Sequence, residues 1–343
     1  MIHKKIKKAM VFLGLLVFAV FISFNTAEAA NGNVGLSFKF GGGMGLLFNG
    51  GGDIEKARLG YQEYYSDLGS VTNYSTTFNW KKMSTAMNFE ADLILTFGQN
   101  FGFGIGSGYI RATNDGDYSY AWSYTGYPWY GTDWEDEEDI YTMKYTMSAI
   151  PIRFTLYFFV PMNSMSFYGF GGLGYYMGKL NATQSNDYTD NWGWDSWYYW
   201  NEEFDYSYNS EATQKATCNA LGFHGGIGLK MNLSQSVGIA FELFGRLVNF
   251  KNWEGDVSWS WNDRLRYWHE LVGWYYDDTL SGSGSESGKM WYYEWHSSYF
   301  NKDYSEVTLS ETKPTWYKNV REAAFNLNAF GVSVSIIFHF NLI

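Results

Sequence analysis

The chain has 343 residues and a formal net charge of −11, with 24 lysines and arginines against 35 aspartates and glutamates. Aromatic residues make up 21% of it, and there is a single cysteine, Cys218. The acidic balance excludes a protein that binds nucleic acid by neutralising phosphates. The aromatic content excludes a disordered chain, and one cysteine excludes an intrachain disulfide framework and a multi-cysteine metal cluster.

The first 29 residues have the three parts of a secretory signal peptide. Four lysines lie within the first eight residues, an apolar run extends from Ala9 to Phe24, and Ala27 and Ala29 supply the small residues of a cleavage site. The apolar run is shorter than the roughly 20 residues that a membrane-spanning helix needs. We therefore predict a signal peptide over residues 1–29 and one mature domain over residues 30–343.

The mature chain contains eight runs in which apolar and polar residues alternate with a period of two. These runs are Val34 to Phe48, Ala86 to Phe97, Phe101 to Ala112, Tyr141 to Phe159, Ser166 to Lys179, Thr217 to Met231, Val237 to Phe250 and Glu322 to Phe340. Their connections are alternately short and long, and the long ones cover about 49–85, 113–140, 180–216 and 251–321.

This plan predicts an all-β fold. We expect an eight-stranded antiparallel up-and-down transmembrane β-barrel with long extracellular loops, some of which extend as protruding hairpins. The predicted location is the outer membrane of a Gram-negative-type cell, with both termini in the periplasm. A soluble secreted β-sandwich is the alternative, although its strands are usually shorter than the runs seen here.

The polar faces of the runs carry charged residues into the lumen of the predicted barrel. These residues are Lys39, Glu90, Asp92, Arg153, Glu242 and Arg246. Eight strands enclose an interior that side chains can fill, so three acids and three bases predict an ion network that plugs it. A gated polar pathway, or a site for a small ligand, is the alternative. Pro151 lacks a backbone N–H, and we expect a bulge there.

One pair of runs carries a recognisable sequence pattern. Ser148-Ala149-Ile150-Pro151-Ile152, an aromatic strand, a tight turn and Phe167-Tyr168-Gly169-Phe170-Gly171-Gly172-Leu173-Gly174-Tyr175-Tyr176 follow one another. This segment resembles the central hairpin of the OmpW/OmpX-type family of small eight-stranded outer-membrane barrels. The resemblance covers the strands and not the loops. It implies the barrel fold and, as an alternative function, a narrow channel for small or apolar solutes.

The long connections are unusually aromatic. Candidate surface-binding residues are Trp122, Trp192, Trp194, Trp197, Trp259, Trp261, Trp291 and Trp295. Alternation at Tyr118, Tyr120 and Trp122 predicts strands that continue beyond the bilayer as a protruding sheet. Such a sheet either packs on itself or presents its rings to a glycan, a peptide or a host surface. Ser281 to Gly288 is predicted to be a flexible tip.

The sequence gives little support for a metal site or an enzyme active site. The acidic run from Asp133 to Asp139, with Asp187, Asp190 and Asp195, lacks the spacing of a calcium loop, and we expect a solvated acidic surface. His296-Ser297-Ser298 resembles the His-x-Ser pattern of a lipid A deacylase, but it falls in a predicted loop. We predict no catalytic residue, no metal and no cofactor.

The expected function is therefore a surface-interaction, adhesin-like role or an envelope-structural role. The expected partners are outer-membrane lipid and a glycan, peptide or host-surface ligand, with no nucleic acid, and the barrel is expected to be monomeric. The alternatives are the narrow channel and, more remotely, an outer-membrane hydrolase that modifies lipid A.

Overall fold

The computed structural model describes residues 34–71, 73–127, 131–196 and 200–341. The predicted signal peptide therefore lies outside the described residues. The strands are β1 Val34–Leu47, β2 Tyr74–Phe78, β3 Thr85–Phe97, β4 Phe101–Gly126, β5 Gly131–Met162, β6 Met165–Ser196, β7 Glu202–Asn232, β8 Val237–Phe250, β9 Glu254–His269, β10 Gly273–Ser297, β11 Lys302–Ser310, β12 Lys318–Glu322, β13 Phe325–Asn326 and β14 Ala329–Asn341. One α-helix, α1, spans Asp53–Leu68 and follows a 3₁₀ turn at Phe48–Gly51. No helix in these ranges is long and apolar enough to cross a bilayer.

Eight of the strands form a closed antiparallel ring. The pairs run from β1 through β3, β4, β5, β6, β7, β8 and β14, and β14 then pairs with β1. At β1, for example, Lys39 lies opposite Asp92 of β3 on one side and Ile337 of β14 on the other. Closure satisfies the backbone groups that an open sheet leaves unpaired at its edges. The predicted all-β antiparallel arrangement is thus confirmed, and each predicted run overlaps a ring strand.

The outward face of the ring is apolar next to the short turns. In β14, Phe330, Val332, Val334, Ile336 and Phe338 are each 40 to 55% exposed, whereas Ser333 and Ser335 between them are buried. The same alternation exposes Phe89 and Leu93 in β3 and Phe241 and Leu243 in β8. We call this band the apolar belt. The predicted period-two alternation is confirmed, and it places apolar side chains outside the ring.

Four ring strands continue far beyond the apolar belt. The β4–β5 ladder extends to Gly126 opposite Asp133, and β6 and β7 remain paired up to Trp194 opposite Glu202. The predicted loops over 113–140 and 180–216 therefore consist mostly of strand, which agrees with the expectation that some loops extend as protruding hairpins. The reason is that aromatic and β-branched residues continue the alternation and their backbone groups find ladder partners.

The segment predicted as a loop over 251–321 also consists mainly of strands. β9 pairs with β7, β10 with β9, and β11 and β12 with β10. We call these strands, together with the parts of β4 to β7 beyond the apolar belt, the projecting sheet. The last ring strand consequently begins at Ala329 rather than at Glu322, which ends the separate strand β12.

The predicted flexible tip at Ser281 to Gly288 lies inside β10 and is paired with β9. A Cβ on Gly282 would lie 2.7 Å from the indole of Trp261, and one on Gly284 would lie 2.6 Å from that of Trp259. The prediction of a flexible tip was wrong because these glycines make room for tryptophan rings on the neighbouring strand. Their composition suggested a linker, whereas their positions are those of a packed strand.

The connection over 49–85 contains the helix α1, which the sequence did not predict. Arg321 donates two hydrogen bonds to Asp53 at the helix start, at 2.6 and 2.7 Å. A Cβ on Gly60 would lie 2.6 Å from the backbone of Ser305, so the helix approaches β11 closely. α1 thus covers the base of the projecting sheet.

An apolar core fills the space between the helix and the sheet, and it continues into the upper end of the ring. Its largest fully buried members include Trp253, Tyr118, Tyr176, Phe250, Phe325 and Met147. The expected bulge at Pro151 is absent. The β5–β6 register is unbroken from Ile150 to Ile152, and Ser107 donates a hydrogen bond to the Pro151 carbonyl at 2.9 Å.

Candidate functional site

Below the apolar core, the ring interior holds a compact group of charges. The Lys39 ammonium lies 3.1 Å from a Glu90 oxygen, 3.2 Å from Asp92 and 2.9 Å from Glu242. Arg153 adds contacts of 2.7 Å to Glu90 and 2.8 Å to Asp92. We call these five side chains the interior ion cluster. The arrangement arises because the charged residues sit at inward positions of β1, β3, β5 and β8, with Lys39 directly opposite Asp92 in the register.

Neutral groups complete the coordination of the carboxylates. Tyr168 and Ser333 donate hydroxyl hydrogen bonds to Glu242, at 2.7 and 2.9 Å. Arg246, the sixth predicted lumen residue, is buried nearby but donates through Nε to the Leu327 carbonyl at 2.9 Å. Among the described residues it forms no ion pair with a carboxylate. Five of the six predicted lumen residues are thus in direct contact, and the sixth lies beside them.

Little free space remains around the interior ion cluster. A cavity of about 30 Å³ lies on its upper side against His224 and Tyr176, and one of about 20 Å³ lies on its lower side against Lys230 and His339. His224 shares a hydrogen bond with Thr155, and His339 shares one with Ser37, both at 2.8 Å. Each cavity has room for about one water molecule. The ring interior is therefore filled by side chains, as eight strands allow.

The inner face of the projecting sheet, continuous with the ring interior, carries a second group of acids. Glu135, Glu137 and Asp139 occupy alternate positions of β5, and Asp190 of β6 lies directly opposite Glu137. We call these four residues the carboxylate cluster. No lysine or arginine in the described ranges lies within ion-pair distance of any of them. Like charges directly opposite each other destabilise a sheet, so this arrangement carries a cost.

Aromatic rings border the carboxylate cluster on both sides. On β4, Tyr120, Trp122 and Tyr124 lie opposite Asp139, Glu137 and Glu135. On β6 and β7, Tyr188, Trp192 and Phe204 continue the same rows. Trp192 stacks on Phe204 with ring centroids 3.9 Å apart, and Phe204 lies 4.4 Å from Tyr267 of β9. Tyr120 donates a hydrogen bond of 2.8 Å to Glu137.

The environment of the carboxylate cluster disfavours its negative charge. Burial, with the neighbouring charges of Asp190 and Glu137, raises the pKa of Glu135. Burial and the charge of Glu137 also raise the pKa of Asp190. Burial raises the pKa of Asp139 to about 6, assisted by Glu137 and opposed by hydrogen bonds from Tyr141 and Tyr120. An approaching positive charge would relieve this repulsion.

The sequence prediction of a solvated acidic surface was wrong for half of the run. Asp136 and Glu138 are exposed on the outer face, whereas Glu135 and Glu137 are half-buried on the inner face and Asp139 is buried. The sequence contained this information, because the alternation that places Tyr141 and Met143 on the inner face continues unbroken through the acidic run. Among the described residues, no group of three or more His, Cys, Asp or Glu side chains is arranged to hold a metal ion.

The predicted surface tryptophans have different environments. Trp192 is 40% exposed and Trp259 is 37% exposed, both on the inner face of the projecting sheet. The other described candidates are half-buried: Trp122, Trp194, Trp261, Trp291 and Trp295. Trp295 packs against Tyr64 of α1 and Tyr304 of β11. Trp197 lies outside the described residues.

His296 lies on β10 and not in a loop. Its Nδ1 is 2.7 Å from Asp303, which also binds Lys318 at 2.8 Å. Ser297 instead accepts a hydrogen bond from the backbone of Phe300. The serine of the predicted His-x-Ser pattern is Ser298, which lies in the turn after β10; in the part of the chain that the structure describes, no hydrogen bond joins it or Ser297 to His296.

No protein-family model and no curated protein matches this chain. Among solved structures, the chain is similar to one titled CymD monoaromatic hydrocarbon channel, at 6% identity and a TM-score of 0.15, over 90% of this chain and 89% of that one. It is also similar to a Pseudomonas aeruginosa FadL homologue, at 6% identity and a TM-score of 0.14, with the same coverage. Scores at this level establish no shared fold, and the resemblance to OmpW/OmpX-type barrels stays a prediction.

Proposed function

We propose that the chain is a transmembrane barrel of the outer membrane that presents a ligand-binding sheet outside the cell. The apolar belt supports the membrane location. In β14 it extends from Phe330 to Phe340, close to the 9 to 11 residues with which a tilted strand crosses a bilayer. Ring closure leaves no unpaired strand edge in contact with lipid, which a membrane requires.

The filled interior favours a surface role over conduction. Lys39 and its three carboxylates occupy the ring, and the apolar core around Trp253 and Phe250 closes it above. A solute could pass only if both layers moved. The projecting sheet, in contrast, consists of long paired strands, and Trp192 and Trp259 on its inner face are 40% and 37% exposed.

The carboxylate cluster between aromatic rings is the observation that carries the proposal. Uncompensated acids beside Trp122, Tyr120 and Trp192 combine negative charge with flat π surfaces, both of which attract cations. We therefore infer a ligand that carries positive charge, such as a basic peptide or an amino sugar. No catalytic step is assigned to the chain.

Paired substitutions on one strand test this proposal. Glu135→Gln/Glu137→Gln removes two inner charges, and Asp136→Asn/Glu138→Gln removes two outer charges from the same stretch of β5. With a fluorescent lysine-rich peptide as the probe, the inner pair should weaken binding about tenfold, while the outer pair leaves it unchanged. Equal losses in both variants would show that only overall charge matters.

Planar bilayer recordings test the narrow-channel alternative. If the interior ion cluster plugs the ring, recordings of the wild type should show no single-channel conductance steps. Reproducible single-channel steps from the wild-type protein would favour the channel.

A further inference from the structure

Two cations flank one serine at the upper edge of the apolar belt, on the outer face of the ring. Arg111 of β4 is opposite Ser148 of β5, and Ser148 is opposite Lys179 of β6. Both long side chains are exposed, whereas Ser148 between them is only 8% exposed. Immediately below, Ile150 lies opposite Met177, and their side chains and that of Tyr109 are exposed at the top of the apolar belt.

These two cations have no acidic neighbour in the sheet. In the register, Arg111 is flanked by Met87 and Ser148, and Lys179 by Ser148 and Thr217. Neither forms an ion pair with any described residue. Two nearby outward-facing cations each lie opposite an acid in the strand register, Lys144 opposite Asp115 and Lys215 opposite Asp256. In a chain with a net charge of −11, Arg111 and Lys179 make a local concentration of positive charge on the outer face of the ring.

The two cations border a surface groove of about 430 Å³. Its lining includes Tyr109, Arg111, Thr146, Ser148, Met177 and Lys179. The upper part is basic and hydroxyl-bearing and the lower part is apolar. Strands two positions apart are about 10 Å from each other, so the flexible ends of an arginine and a lysine can converge on one anion between them.

We propose that this groove binds the phosphate of a phosphorylated glycolipid in the outward leaflet, with the acyl chains lying along the apolar belt. The proposal rests on the proposed membrane location, which places the groove at the depth of lipid headgroups. Basic pockets at that depth are suited to anionic headgroups. Arginine and lysine each supply charge-assisted hydrogen bonds to phosphate oxygens, and the Ser148 and Thr146 hydroxyls can supply more. The amphipathic shape of the groove favours a lipid over soluble phosphate.

The experiment compares two double variants with the same change in charge. Arg111→Gln/Lys179→Gln removes the proposed site, and Lys144→Gln/Lys215→Gln removes the two cations that face acids. The full-length proteins are refolded in detergent, and binding of bisphosphoryl lipid A is titrated by native mass spectrometry, with fully dephosphorylated lipid A and inorganic phosphate as further probes. Arg111→Lys/Lys179→Arg, which keeps both charges, checks that a loss reflects charge rather than misfolding.

We expect the first variant to lose about tenfold or more in affinity for bisphosphoryl lipid A, the loss expected for charge-assisted hydrogen bonds. The second variant and the charge-conserving variant should match the wild type. Equal losses in the two neutralising variants, a loss in the charge-conserving variant, or no preference for the phosphorylated lipid would each overturn the inference. Displacement of the lipid by millimolar inorganic phosphate would overturn the assignment to a lipid source.

Insertion into phosphatidylcholine vesicles separates this inference from the proposed function. If the wild type does not insert, the membrane location fails and this inference fails with it. If the wild type inserts and shows no preference for the phosphorylated lipid, the membrane location stands and only this inference is lost.

Discussion

Lys39 is a position at which the structure predicts a large effect of a single substitution. Its ammonium contacts three carboxylates, at 2.9 to 3.2 Å, and its side chain is only 3% exposed. Replacing it with methionine keeps the length of the side chain and removes the charge. Glu242 then has only the Tyr168 and Ser333 hydroxyls, while Glu90 and Asp92 share Arg153.

The expected cost of Lys39→Met is about 3–5 kcal/mol, the range for removing one partner of a buried ion pair. Urea unfolding of the protein inserted in lipid vesicles measures it, with tryptophan fluorescence as the signal. Lys230→Met is the matched control. Lys230 lines the same ring interior beside Phe159 but has no carboxylate partner among the described residues. Its substitution should change the free energy of unfolding by less than about 1 kcal/mol.

The double variant Lys39→Met/Glu242→Gln tests the cause of the loss. It restores the original charge balance of the interior ion cluster, and the amide oxygen introduced by Glu242→Gln would still accept a hydrogen bond from Tyr168. We expect it to recover at least about 1 kcal/mol relative to the sum of the single effects, as contacting charges do. Additive losses, or a Lys39→Met variant as stable as the wild type, would refute the assignment of stabilisation to these contacts.

Three further predictions concern the projecting sheet. Gly284→Ala should destabilise the protein by about 1 kcal/mol and change the near-UV circular dichroism, because a methyl group there meets the Trp259 indole, whereas Ser283→Ala on the other face should do neither. Burial raises the pKa of Asp139 to about 6, so its ionisation destabilises the folded state as the pH rises from about 4 to about 6. Asp139→Asn should therefore stabilise the protein by about 1–2 kcal/mol at pH 7 and have little effect at pH 4, and a larger gain at pH 4 in urea titrations would contradict this sign. Protease added to intact cells should cut at the exposed turn around Leu271 and not at the turn from Gly98 to Asn100; the reverse pattern would invert the topology.

The strands of the ring could be predicted because each of them alternates over its whole length. For β8, for example, the sequence predicts a strand from Val237 to Phe250, and the structure has those bounds. The alternation alone assigns Glu242 and Arg246 to the inward face and Phe241 and Leu243 to the outward face. The alternation cannot predict which charged side chains contact each other, because those contacts depend on the register between strands. Arg246 illustrates this limit, since it bonds to the Leu327 carbonyl and not to Glu242.

The helix α1 could not be predicted because its local sequence lacks the usual start signal. Its N-cap is Gly52, at φ 81°, with no side-chain hydrogen bond to the first turn. Asp53 is instead held by Arg321, which lies 268 residues away in the sequence. Tyr64 packs against Trp295, Phe300 and Tyr304. A helix that depends on such distant contacts leaves no capping pattern in its own residues.

One face of β5 passes through three environments, and their difference bears on function. Arg153 lies in the interior ion cluster, Met147 in the apolar core and Glu137 in the carboxylate cluster, all at inward positions of the same strand. In the ion cluster each carboxylate has a basic partner, whereas no described residue neutralises Glu137. If the carboxylate cluster served only the stability of the sheet, a lysine or arginine on β4 or β6 would remove the repulsion between its members without changing the fold. Neutralising Glu137 should therefore weaken ligand binding without loss of stability, the opposite of the result expected at Lys39.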